Sequence, residues 1–161
     1  MGEKIIEKTI ESQTGGKVDI DTEGKEMKIQ TNDGSVSLSG EGNAKLPENF
    51  PADIFVFDDA KIVFALAGSP DKTEYSVSYS TAYPVTNALT RYKQEMEKQS
   101  WKLENEMNTG PESEAILIFQ KEGRQTMITI GSSATDSDSK TSISIVSGKT
   151  DQAPNLEPAQ E

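Results

Sequence analysis

The sequence predicts an α+β domain, a mainly antiparallel sheet carrying one amphipathic helix, and three observations predict it. Val85, Ala88, Leu89, Tyr92 and Met96 recur at three- and four-residue steps within PVTNALTRYKQEMEKQSW, the spacing of one helical stripe. On either side lie short runs that alternate apolar with polar residues, as Tyr75, Val77 and Tyr79 do among serines, which is how half-buried strands read. The connections between these runs are short and carry Gly, Asp or Pro, which favours antiparallel neighbours. The order over residues 60–148 is then ββαββββ, with the helix packed on one face of the sheet.

In chain order, Glu3 to Gln13 places Ile5, Ile6 and Ile10 on a narrow helical stripe, with Gly15 and Gly16 as its stop. Three strands follow, Lys17 to Asp21, Glu26 to Thr31 and Ser35 to Ser39, each with two apolar residues on one face. So thin a meander needs the N-terminal helix or the larger domain to cover it. Residues 1–40 are therefore read as a small αβββ unit, 41–59 as a linker with a Phe-rich entry segment, 60–148 as the main domain and 149–161 as a disordered tail. In the main domain the strands are Lys61 to Ser69, Glu74 to Ser80, Trp101 to Met107, Ala115 to Lys121, Gln125 to Gly131 and Thr141 to Ser147. Pro84 suits the first helical position, and Arg91 and Glu95 stand one turn apart on the polar face. Strict alternation from Trp101 puts Leu103, Asn105 and Met107 on one face, with Glu104 and Glu106 outward together.

Composition excludes more than it assigns. The chain of 161 residues carries a net charge of −11, with 27 acidic and 16 basic residues, so a phosphate backbone or an anionic membrane surface is repelled. It has no Cys and no His, which removes thiol nucleophiles, disulfides, Ser-His-Asp triads and nearly every zinc site. No apolar run approaches the length of a membrane span. Met1-Gly2-Glu3-Lys4 fits either a natural start or a cut that removes a secretion signal.

The acidic clusters give no catalytic or metal site. Asp19 and Asp21 share a strand face with no loop beside them to complete a calcium shell. Asp136 to Ser139 opens like a calcium loop but lacks Gly at its sixth position and Glu at its twelfth, where Ser147 stands. Glu104 and Glu106 resemble a glycosidase pair in spacing alone, since nothing buries either one. Asp58 and Asp59 fit a turn before the strand at Lys61 better than a ligand pair. Phe50, Ile54, Phe55, Val56 and Phe57 crowd into eight positions, either to plug the end of the core or to receive a partner. The residues put forward for binding are Phe55, Phe57, Asp58 and Asp59, with no catalytic residue, metal or cofactor expected. Trp101 reads as a core anchor beneath the helix C-terminus.

Two stretches carry a resemblance. Leu46-Pro47-Glu48-Asn49-Phe50-Pro51-Ala52-Asp53-Ile54 leads towards Ala60-Lys61-Ile62, and Ala88-Leu89, Tyr92-Lys93 and Met96 lead into Trp101-Lys102-Leu103. Over roughly Gly15 to Lys121 the chain resembles uncharacterised bacterial envelope proteins of the lipoprotein type, with an LPxxFPxDI entry and an ALxxYKxxMxxxxWKL helix–strand unit. Where those proteins are often Pro-rich after the DI pair, this chain has Phe55-Val56-Phe57. The resemblance implies export and an N-terminal lipid anchor on a Cys preceding this sequence, and it implies no activity. The expectation is a non-enzymatic, extracytoplasmic binding or scaffold domain whose partner is an envelope protein or ligand. The alternatives are a hydrolase of envelope material using carboxylates or a Ser-Lys pair, and an inhibitor or adaptor of an envelope enzyme.

Overall fold

The computed structural model describes residues 8, 11–12, 15–21, 26–31, 33–68, 74–110, 113–133 and 140–150. Among the described residues nine strands form one antiparallel sheet: β1 (Lys17–Asp21), β2 (Glu26–Thr31), β3 (Gly34–Ser39), β4 (Lys61–Ala67), β5 (Tyr75–Thr81), β6 (Lys102–Asn108), β7 (Ala115–Lys121), β8 (Arg124–Ser132) and β9 (Thr141–Lys149). One long helix, α1 (Val85–Lys98), lies between β5 and β6 in the chain. The spatial order is β1-β2-β3-β4-β5-β9-β8-β7-β6. The chain thus leaves mid-sheet after β5, crosses on α1 to the far edge, and returns by hairpins until β9 pairs with β5. Helix length suits this crossing. Fourteen residues span about 21 Å, and four strand spacings measure about 19 Å.

The helix begins where its sequence allows. Pro84 is its N-cap and not its first helical residue, so the helix starts one position later than expected, at Val85; the Pro84 carbonyl accepts the Ala88 N–H at 2.9 Å. It ends on Ser100 at φ 65, with Ser100 N–H bonded to Glu97 O and Trp101 N–H to Met96 O at 3.0 Å. That is a Schellman close with serine in the left-handed position, and the buried Met96 and Trp101 supply its apolar contact. Val85, Ala88, Tyr92 and Met96 are buried, whereas Leu89 is only partly so. The core lies between α1 and the inward residues of β5, β9, β8 and β7, among them Val77, Ile145, Ile128 and Leu117, all fully enclosed.

The meander behaves differently from its sequence description. β3 pairs with β4 over Ser35–Ala67 to Leu38–Phe64, so hydrogen bonding runs unbroken from the 1–40 region into the main sheet. Register then fixes which way each strand faces. Lys28, Ser37 and Ala65 share a row with Val77, on the helix side, so the apolar residues of β2 and β3 point away from α1. The helix expected over Glu3–Gln13 lies largely outside the described residues. Lys8, Glu11 and Ser12 are helical, and Gly15 N–H bonds Glu11 O at 2.9 Å with Gly15 at φ 66. Most of the expected tail also lies outside them, but Lys149 belongs to β9 and Thr150 N–H reaches Gly123 O at 2.9 Å.

One face assignment is corrected. A register shift between Leu103 and Asn105 inserts an extra residue into β6, which reverses the alternation beyond it. Leu103 stands opposite the buried Phe119, while Asn105 and Met107 stand opposite Ile118 and Ile116 on the other side. Glu106 consequently turns to the helix side, where Lys93 grips it at 2.7 and 2.8 Å, and Glu104 pairs with Lys102 instead. The two carboxylates are not a pair.

Candidate functional site

The segment from Glu41 to Ala60 is the part of the chain with no repeating pattern, and it forms a strap across the helix side of the sheet. It starts against β4, where Asn43 bridges Ile62 in parallel and Ala44 N–H donates to Ile62 O at 3.0 Å. Gly42, at φ 78, lets the backbone pass, since a Cβ there would come within 2.7 Å of Lys61 Cβ. Three turns then fold the strap on itself, closed by Phe50 N–H to Pro47 O, Ile54 N–H to Pro51 O and Ala60 N–H to Phe57 O. Ile54 and Phe57 go into the core, and Phe50, Phe55 and Val56 remain half-buried.

Two carboxylates fasten the strap. Asp53 accepts from Lys121 Nζ at 2.9 Å and from both Arg124 terminal nitrogens, and its carbonyl accepts Trp101 Nε1 at 2.7 Å. Arg124 also lies over the Trp101 ring, 4.9 Å from its centroid. The Arg124 hydrogen bonds hold the Asp53 carboxyl below the usual range against a smaller opposing effect of burial, and Lys121 adds to the lowering. At the other end Asp59 accepts from Thr81 Oγ1 at 2.7 Å and from Ala82 N–H at 2.9 Å. Between the anchors the Tyr79 and Tyr92 hydroxyls bond each other inside the core, and Phe57 N–H donates to Tyr79 at 3.4 Å. Burial pushes both phenols up from their ordinary value. Phe55 and Phe57 meet Tyr92 edge-on, at 5.3 and 5.7 Å between centroids.

The strap does not close fully onto the helix. A cleft of about 410 Å³ remains, walled by Leu46, Phe50, Phe55 and Val56 on one side and by Glu95 of α1 and its C-cap Gln99 on the other. Its volume lies in the range of small-molecule sites. Arg91 sits over Phe55 at 5.8 Å, and Glu95 is engaged by Lys98 at 2.9 Å and Arg91 at 3.2 Å. The Lys98 hydrogen bond, then the Lys98 and Arg91 charges, lower the Glu95 carboxyl, so it stays anionic. Two other hollows lie elsewhere on the surface. One of about 230 Å³ lies between Lys45–Asn49 and the small side chains Ser35, Ser37, Ala65 and Ala67. The other, about 500 Å³, has Gly40, Gly42, Lys61 and four serines around it.

Of the four residues put forward from sequence, the structure brings Phe55 and Asp58 to the cleft. Phe57 is core, 5% exposed, and Asp59 is a structural anchor. Asp136 to Ser139 lie outside the described residues. Among the described residues no three His, Cys, Asp or Glu side chains gather to hold a metal ion, and no helix is long and apolar enough to cross a membrane. The Asp53 anchor was missed, although a signal for it exists. A two-residue turn at Glu122-Gly123 sets Lys121 directly opposite Arg124, and two like charges so placed call for an anion between them.

A protein-family model described as START domain-like matches residues 63–151, just over half of the chain, from within β4 through α1 to the end of β9. The strap and the meander precede the matched region. No curated protein and no solved structure gives a significant match.

Proposed function

The chain belongs to the START domain-like family, and we propose that it is a non-enzymatic binding domain that takes an apolar ligand into the cleft between strap and helix. The observation that carries this reading is the half-buried aromatic and aliphatic wall of Phe50, Phe55 and Val56, which meets the helix at Phe55 and leaves the cleft open towards Glu95 and Gln99. The family supports a fold of the ligand-binding kind. The cleft gives that fold a place for the ligand, and the anchored strap gives it a preformed wall.

Location is part of the proposal. The LPxxFPxDI entry and the helix–strand unit that follows it support a protein exported to the bacterial envelope and held there by an N-terminal lipid. Detection of the native protein in the cytoplasmic fraction, with none in the envelope, overturns that placement.

For the cleft, titration with N-phenyl-1-naphthylamine, a neutral apolar fluorophore, is expected to give saturable enhancement. Val56→Asp places a carboxylate in the wall and is expected to weaken binding at least about tenfold, because burying an unpaired charge against an apolar ligand is costly. Unsaturable signal, or a folded V56D variant that binds like the parent, overturns the reading.

A further inference from the structure

The side of the sheet that α1 leaves bare has lost its charge. Strand register lays two central rows of side chains across it, one from Val18 on β1 to Asn105 on β6 and the next from Ile20 to Met107. Each row crosses all nine strands, and neither contains a charged residue, in a chain where 27% of residues are charged. Aliphatic residues and methionines fill most positions, and a strip of Ser76, Ser78 and Ser144 crosses the middle. The helix side of the meander makes the contrast plain: Lys17, Asp19, Glu26 and Lys28 all face that way. An antiparallel sheet with one wet face ordinarily puts its polar and charged residues there. Here Leu38, Met107 and Val146 stand on the bare face, 40%, 45% and 39% exposed.

We infer that this face is the interface of a two-fold dimer, packed sheet on sheet against a second copy of the chain. Area agrees with that occupant. Val18 on β1 is already covered, 4% exposed, so the open patch spans the other eight strands. About 4.8 Å apart, with two rows and their margins, they make roughly 35 Å by 15–20 Å, on the order of 600 Å², the lower end of what each partner of a specific interface contributes. Charge agrees as well. Two chains of net charge −11 repel, and the repulsion at contact is least where the meeting rows carry no charge of their own, as here. An isologous contact needs a surface that complements itself, which apolar rows around a hydroxyl strip provide, since serines are both donor and acceptor. Twisted sheets pack in this way about 10 Å apart with their strands nearly aligned. The inference does not depend on the cleft, which lies on the opposite side of the sheet.

Sedimentation equilibrium of the full chain over about 1–200 μM tests it. The expected result is a reversible dimer whose dissociation constant rises at least about 100-fold in Val146→Lys, because the two-fold buries two unpaired ammonium groups. Leu103→Lys, on the helix side of the edge strand, is expected to dimerise like the parent. Should V146K unfold, Met107→Lys at the exposed edge supplies the same perturbation. A monomer at every concentration overturns the inference, as does a dimer unchanged in both V146K and M107K. A monomer that floats with phosphatidylcholine vesicles, and loses that property in V146K, makes lipid the occupant and overturns it equally.

Discussion

The paired phenols at the centre of the core allow a quantitative test of how strap, sheet and helix are joined. Tyr79 on β5 and Tyr92 on α1 are 1% and 0% exposed, and Tyr79 also receives the Phe57 N–H of the strap. Tyr92→Phe removes one hydroxyl and leaves Tyr79 still holding Phe57, so one hydroxyl loses one partner, worth about 1–2 kcal/mol. Tyr79→Phe strands both the Tyr92 hydroxyl and the Phe57 N–H, and the expected cost is about 2–4 kcal/mol. The double variant strands only the Phe57 N–H, about 1–3 kcal/mol, so it is expected to be less damaged than the two singles added together. Urea unfolding followed by the fluorescence of Trp101, 3% exposed and the only tryptophan, reads all four states of the cycle. Singles that add to within about 0.5 kcal/mol, or a Y92F cost equal to that of Y79F, would refute the shared hydrogen bond and the strap's part in it.

Alkaline pH acts on the same pair. Burial raises both folded-state values above the ordinary phenol value of about 10, so their contribution is intact below that pH and is lost as pH rises beyond it. The melting temperature is expected to fall above about pH 10, and to fall less steeply in the Y79F/Y92F double variant; parallel curves would remove the phenols from the account. Asp53 has the opposite sign. Its folded-state value is depressed, so its contribution is present above about pH 4 and is lost as pH falls below it. Asp53→Asn is expected to cost about 1–3 kcal/mol at neutral pH, by leaving Lys121 and Arg124 facing each other, and to flatten the acid limb of the stability curve. Urea midpoints measured at pH 7 and pH 3 check both statements.

Much of this architecture is legible in residue spacing. The alternation in Lys17–Asp21, Tyr75–Thr81 and Ala115–Lys121 marks strands because each has one face in a uniform environment, and the three- and four-residue stripe of α1 marks the helix for the same reason. Alternation says nothing about which side of the sheet a face belongs to. Val36 and Leu38 look as core-like as Ile143 and Ile145, yet register sends the first pair away from α1 and the second towards it. Parity also fails wherever the chain adds a residue, as in β6, where a single bulge moves Glu106 to Lys93 and Met107 to the bare face. Leu89 fits the helical stripe but sits on its shoulder and is only partly buried.

The strap was the least legible part because its order comes from long-range polar bonds and not from a local period. Those bonds also explain why a cleft exists at all. Asp53 and Asp59 hold the strap to the β7–β8 turn and to the end of β5, and neither anchor draws it towards the outer face of α1. Phe57 and Ile54 are buried in the core between the anchors, and Phe55 and Val56, the pair between them, stay half-buried and line the gap with Glu95 and Gln99. In the proposed reading the matched region provides a helix on a sheet, and the unmatched strap provides the wall that a ligand touches. Selectivity for the ligand would then reside in residues 46–58, which supply Leu46, Phe50, Phe55 and Val56 to that wall.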